Sequence, residues 1–264
     1  MFHIDFENAF LQSDVEEELY VALPEGGEQF DYEGSPLVMK LRKTLYGLKQ
    51  APRNWNEKLV LWLKQQGFKQ SEHDTSVFLY DSGGIQCVLC TYVDDVPLGC
   101  NNTTFVHQLV ENMRKQFDVG EVETLKWLLQ MEVTQPEAGC ICVSQSKYVN
   151  DLLARYNIAA ENCKFPSFPL QPSFHIAKGE RPTEGTSEFN RLEALPYAQL
   201  VGSLTWIAHG TRPDITHAVN ILAQFTTCYT MAHWRALKGV LKYLAGTRDL
   251  GLVRAPRTCF RRTC

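Results

Sequence analysis

Apolar positions along this 264-residue chain recur in two rhythms. From Met1 to Leu11, MFHIDFENAFL, they alternate as in a short strand, then turn helical before acidic residues take over and Pro24 closes the stretch. Turn formers fill Gly26 to Pro36, and LVMKLRKTLYGL then reads as a strand running into a turn at Gly47. Pro52 opens a predicted helix over Arg53 to Gln66, with Trp55, Leu59, Trp62 and Leu63 at helical spacing and Gly67 at the C-cap. The runs SVFLYD and IQCVLCTYV, joined by Ser82, Gly83 and Gly84, predict a hairpin, and Thr103 to Phe117 predicts a second amphipathic helix. Beyond about Gly139 the spacing is helical over Tyr197 to Ala208, Pro213 to Phe225 and Ala232 to Leu244, the last stopping at Gly246. Pro166 to Pro172 and Lys178 to Glu188 read as loop, with no internal repeat.

A hydrophobic content of 44% permits a substantial core, and no apolar stretch reaches membrane-spanning length. The net charge of −4 does not mark a nucleic-acid binder, but its distribution is uneven. Up to Glu33 there are ten acids and no Lys or Arg, and from Lys40 to Lys69 eight basic residues against Glu57 alone. From Arg235 onward eight basic residues again face only Asp249. Such runs more often mark a solvated face, but two basic blocks flanking an acidic centre also suit a phosphate backbone tracked past a metal site. Nine Cys with no secretory leader argue against a disulfide framework and for a reducing compartment. Cys87 and Cys90 fall on opposite faces of a strand and have no second pair at zinc spacing. Neither a G-x-S-x-G elbow nor an H-E-x-x-H helix supports a hydrolase.

Tyr92, Val93, Asp94 and Asp95 end the apolar run IQCVLCTYV. Adjacent carboxylates there can grip metal ions, though two Asp between apolar runs also make an ordinary hairpin turn. Asp5 offers a third carboxylate, and LYGLKQAPRNW, Leu45 to Trp55, lies midway. At these three segments, in this order, the chain resembles the reverse transcriptase of copia-type retrotransposons. The likeness continues through SQSKYVNDLL, LVGSLTWIAHGTRPDITHAVN and HWRALKGVLKYLAGTRDLGL to about Val253.

This resemblance implies an α+β fold: a reverse-transcriptase palm, an antiparallel sheet with helices on one face, over 1–138, then a mainly helical thumb or connection region over 139–253. Residues 254–264 fit neither and read as a disordered or unrelated tail. It also implies that most of the fingers are missing, since Asp5 stands almost at the start, that no ribonuclease H unit follows, and hence that polymerisation is impaired. By position, Asp5, Asp94 and Asp95 would be the catalytic and metal-holding residues for two Mg2+ ions, with Mn2+ an alternative. Phe10, Gln50 and Tyr92 would contact the nucleotide, Phe10 by excluding a 2′-hydroxyl unless it is a core residue. Lys49 and Arg53 read as solvated. Trp127, Leu128, Leu129, Gln130 and Met131 would form a primer-grip hairpin, with Gln130 where the family has Gly. Pro97 also departs from the pattern and is best tolerated at a sheet edge or bulge.

The implied partners are an RNA or DNA template with a DNA primer, deoxynucleoside triphosphates, and further copies or other element-encoded chains, with no membrane and an intracellular, cytoplasmic setting. Two alternatives stay open. One is a non-catalytic nucleic-acid-binding remnant using Lys40 to Lys69 and Arg235 to Arg262. The other is an interaction protein whose Met1 to Phe6 edge strand is completed by another chain.

Overall fold

The alternating N-terminal segment forms β1 (Phe2–Asp5), the strand on which the candidate site is built. It belongs to a computed structural model that describes residues 1–137, 139–158, 165–171 and 182–255. The chain divides at Leu125/Lys126 into two compact units.

In the first unit, β1 is followed by a 3-10 turn at Ala9–Gln12 and by the paired strands β2 (Tyr20–Ala22) and β3 (Val38–Lys40). Helix α1 (Ala51–Gln65) starts with Pro52 in its first turn, where a missing N–H is harmless. It buries Trp55, Leu59, Trp62 and Leu63, the residues its apolar spacing selects. Gly67, at φ 90°, ends it, and the Phe68 N–H closes on the Leu63 carbonyl. Then come β4 (Lys69–Gln70), β5 (Val77–Ser82), β6 (Ile85–Cys90), β7 (Asp95–Cys100), α2 (Thr103–Arg114) and β8 (Glu123–Thr124). Gly83 and Gly84, both at positive φ, make the tight β5–β6 turn.

The strands form one antiparallel sheet in the order β4-β5-β6-β7-β1-β8. Because successive strand residues point to opposite faces, Ile4, Phe78, Cys87, Leu89, Val96 and Leu98 share one face. They pack in a single core with Trp55, Leu59 and Leu63 of α1 and Val106, Leu109, Val110 and Met113 of α2. The other face, where His3, Asp5 and Asp95 alternate with those core residues, is left open, with Leu79 and Val88 46% and 48% exposed.

The second unit opens with β9 (Trp127–Leu128), β10 (Met131–Thr134) and β11 (Ile141–Ser144). Helices α3 (Ser146–Arg155), α4 (Ser187–Glu193), α5 (Tyr197–Gly210), α6 (Thr216–Ala223) and α7 (Met231–Gly246) follow, and β12 (Leu252–Arg254) pairs back onto β11. Leu152, Leu192, Leu200, Leu204, Leu222 and Leu241 are among the residues of its helical core. Thr230 caps α7, and its own N–H donates to His233 Nδ1 at 3.0 Å, a reciprocal cap. Among the described residues no helix is long and apolar enough to cross a membrane.

Several sequence expectations are corrected. Met1 to Phe6 is not a free edge: β1 lies inside the sheet, with Asp5 opposite Asp95 on one side and His3 opposite Glu123 on the other. The region after Gly139 also contributes strands: β11 and β12 pair there and extend the β9–β10 hairpin into a four-stranded antiparallel sheet. The Trp127–Met131 hairpin belongs to that sheet, within the second unit. Pro97 lies in a central strand, tolerated because the β6–β7 ladder stops at Leu89 and Leu98. On its other side β6 stays paired with the β5 segment, the Thr91 N–H donating to the Ser76 carbonyl at 2.9 Å. Cys87 and Cys100, direct partners across β6 and β7 with Cα atoms 4.3 Å apart, form a disulfide that the odd Cys count did not suggest. The tail proposed for 254–264 lies, from Pro256 onward, outside the described residues, as does part of the Lys178 to Glu188 loop.

Candidate active site

Three carboxylates gather at one end of the β1–β7 pair. Asp5 ends β1, Asp95 begins β7 directly opposite it, and Asp94 sits in the turn that leads into β7. This turn is the YVDD segment itself. Tyr92 and Asp95 exchange backbone hydrogen bonds of 2.8 and 3.0 Å, so Val93 and Asp94 are the two central residues of a tight hairpin loop. The Phe6 N–H donates to the Asp94 carbonyl at 3.1 Å, which ties the turn to the residue following Asp5.

Val93 holds φ at 56°. Such a turn normally places Gly there, and a β-branched residue at positive φ is a true outlier, worth about 1–3 kcal/mol of strain. The compensating contact comes from α1: Trp55 Nε1 donates to the Val93 carbonyl at 2.7 Å.

The electrostatics follow from this crowding. Burial, and then the charge of Asp94, hold the Asp5 carboxyl above its usual range; nearby His3 opposes the shift, while Asp95 and Glu7 add to it. His3 Nε2 lies 2.8 Å from Asp95 Oδ1, and because an ionised carboxylate can only accept, the imidazole donates. Among the described residues no three His, Cys, Asp or Glu side chains are close enough to share one ion. The donor chemistry is nonetheless of the kind a hard cation takes, since the three side chains at this end of the β1–β7 pair are carboxylates, the oxygen ligands Mg2+ accepts.

Phe10 and Tyr92 are brought together. Both line a cavity of about 420 Å³ with Pro52, Arg53, Trp55 and Val93. Phe10 is half-buried and packs on Tyr46, with ring centroids 4.8 Å apart. Gln50 is not brought to this cavity; its amide turns to Glu17 at 3.4 Å. In the second unit, Trp127 to Met131 form the expected hairpin, with Leu129 at φ 48° and Gln130 at φ 64° as its central residues. Gln130 therefore adopts the backbone that Gly favours.

The acidic and basic blocks of the sequence partly neutralise one another. Lys40 pairs with Glu18, and Lys43 Nζ lies 2.6 Å from Asp14 Oδ1. Arg53 pairs with Glu57 within α1 at 2.7 Å. Of the later basic block, Arg257, Arg261 and Arg262 lie outside the described residues.

Sequence reasoning missed three participants: His3, Trp55 and Tyr46. The alternation of β1 could have placed His3 beside Asp5 on one face. Trp55 read as a core position of α1, and nothing local in the sequence points its indole N–H at a turn 38 residues away.

Comparison with known proteins identifies the family. Residues 1–170 match the family described as reverse transcriptase (RNA-dependent DNA polymerase). The Retrovirus-related Pol polyprotein from transposon RE1 of Arabidopsis thaliana is 38% identical over 250 residues, 94% of this chain and 16% of that protein. The corresponding polyprotein from transposon RE2 of the same plant is 36% identical over 249 residues, again 94% of this chain and 16% of that protein. That from transposon TNT 1-94 of Nicotiana tabacum is 34% identical over 247 residues, 92% of this chain and 18% of that protein. The chain thus spans less than a fifth of the length of these relatives. No solved structure matches it. With the family matched over residues 1–170 and these three relatives all Pol polyproteins of transposons, the chain belongs to the copia-type reverse transcriptase (RNA-dependent DNA polymerase) family.

Proposed function

We propose that the Met1–Leu125 unit is the palm of an RNA-directed DNA polymerase and that Asp5, Asp94 and Asp95 are its catalytic carboxylates. The observation that carries this reading is the placement of Asp5 opposite Asp95, with Asp94 in the adjoining turn, on the open face of the sheet. These three residues would hold two Mg2+ ions, or Mn2+, and the cations would make the primer 3′-hydroxyl nucleophilic and neutralise the triphosphate. The chain's own residues would do the positioning. Phe10, backed by Tyr46, would close the cavity against a 2′-hydroxyl, and Tyr92 would bound its other side. The Trp127 to Met131 hairpin would support the primer end, and the helices from α3 to α7 would act as thumb or connection. Substrates on this reading are deoxynucleoside triphosphates and a DNA primer on an RNA or DNA template.

A second reading, a nucleic-acid-binding protein without polymerase activity, is favoured by the engagement of Asp95 with His3. Primer extension on an RNA template with Mg2+ separates the two. Extension by the wild type that is lost in Asp94→Asn, Asp95→Asn establishes the polymerase. Salt-sensitive duplex binding without extension establishes the second reading.

A further inference from the structure

The strained turn and the strand carrying Asp5 are joined through one side chain. Trp55 is 2% exposed, so its indole is fixed by packing. Its ring stands edge-on to Phe6, with centroids 5.0 Å apart, and to Phe117 at 5.6 Å. Phe6 immediately follows Asp5, and its N–H holds the Asp94 carbonyl. On its polar edge, Nε1 holds the Val93 carbonyl at 2.7 Å. Two consecutive peptide units of the turn are thus anchored, Val93 by Trp55 and Asp94 by Phe6, and Trp55 also packs against Phe6. A peptide in the left-handed region is kept there only where its surroundings over-determine it. Here the surroundings are this indole and the Tyr92–Asp95 bonds.

We propose that Trp55 is the positioning residue of the carboxylate site, its N–H locking the Val93 peptide while its ring fixes Phe6, so that Asp5 and Asp94 are held in register. Its bearing on catalysis rests on the polymerase reading; its bearing on the turn does not. The contact geometry assigns the role to the N–H rather than to the ring alone, which makes Trp55→Phe the discriminating variant, since it keeps aromatic packing and removes the donor. Trp62→Phe serves as a control, because Trp62 also lies in α1 and packs on Phe117, at 5.7 Å. Val93→Gly removes the left-handed strain and with it the need for the clamp.

The test measures steady-state primer extension and hydrogen exchange of the backbone amides of residues 91–96, on the full chain, in wild type, Trp55→Phe, Trp62→Phe and Trp55→Phe with Val93→Gly. Trp55→Phe is expected to lower kcat by roughly ten- to a hundredfold with KM for nucleotide within about twofold, as for a misplaced reacting group. It is also expected to speed exchange of those amides more than Trp62→Phe does, and Val93→Gly should restore most of the kcat. Equal effects of the two Trp variants on exchange, or no recovery of kcat with Val93→Gly, would overturn the proposal. If the wild type itself does not extend a primer, the polymerase reading fails, and the exchange comparison alone decides the clamp.

Discussion

Asp5 and Asp95 face each other as the last residue of β1 and the first of β7, and among the described residues neither hydrogen-bonds to a lysine or arginine; Asp95 has His3. Burial and the Asp94 charge raise the Asp5 pKa, so the folded chain binds that proton more tightly than the unfolded one. The stability associated with the proton is present at low pH and is lost as pH rises through the raised folded value. Asp5→Asn is therefore expected to stabilise the protein at neutral pH. The gain should be about 0.5 kcal/mol, small because water screens a largely exposed group. Urea melts should show the gain disappearing below the carboxylate range; a gain that persists in acid would exclude charge as its origin.

If Phe10 bounds the sugar, shortening it should change what the site accepts rather than how fast it works on its usual substrate. Phe10→Ala is expected to raise ribonucleotide incorporation relative to deoxynucleotide by at least about tenfold, the scale of a single steric contact. Competing the two nucleotide types in single-nucleotide extension reads this ratio directly. An unchanged ratio would return Phe10 to the core.

Gln130 at φ 64° predicts a stabilising glycine. The left-handed region costs a side-chain-bearing residue roughly 1–2 kcal/mol, while glycine's extra unfolded entropy returns part of that. Gln130→Gly should therefore add about 0.5–1 kcal/mol in denaturant unfolding. A loss of stability would mean that the Gln130 side chain makes a contribution larger than the strain.

Arg212 is 2% exposed, and its guanidinium meets both carboxylate oxygens of Asp214, at 3.0 and 2.8 Å, and the Thr247 carbonyl at 2.8 Å. Burial pushes the Asp214 carboxyl up, but hydrogen bonds from Arg212 and Tyr243 outweigh it and leave the pKa lowered. A lowered folded pKa means stability that is present above the unfolded value and lost as pH falls through the folded one. Asp214→Asn should cost about 2 kcal/mol at neutral pH, below the range for a fully buried pair because Asp214 is partly in water. Thermal melts should show the difference from wild type narrowing in acid.

Local rules made much of this protein legible. The spacing of Trp55, Leu59, Trp62 and Leu63, the Pro52 start, the Gly67 stop and the Gly83–Gly84 turn each depend on backbone preferences acting within a few residues, so the sequence by itself determined α1 and the β5–β6 hairpin. The motif order that marks the family is likewise a property of the chain alone. Tertiary structure decided what depends on non-local pairing: that β1 is interior because Glu123–Thr124 reaches its far side, and that Cys87 meets Cys100. It also decided that His3 reaches Asp95 and that Trp55 reaches across to Val93. Strand order and the direction of one indole N–H are set by which distant segments win the competition to cover the same core. No window of sequence around Asp94 contains that information.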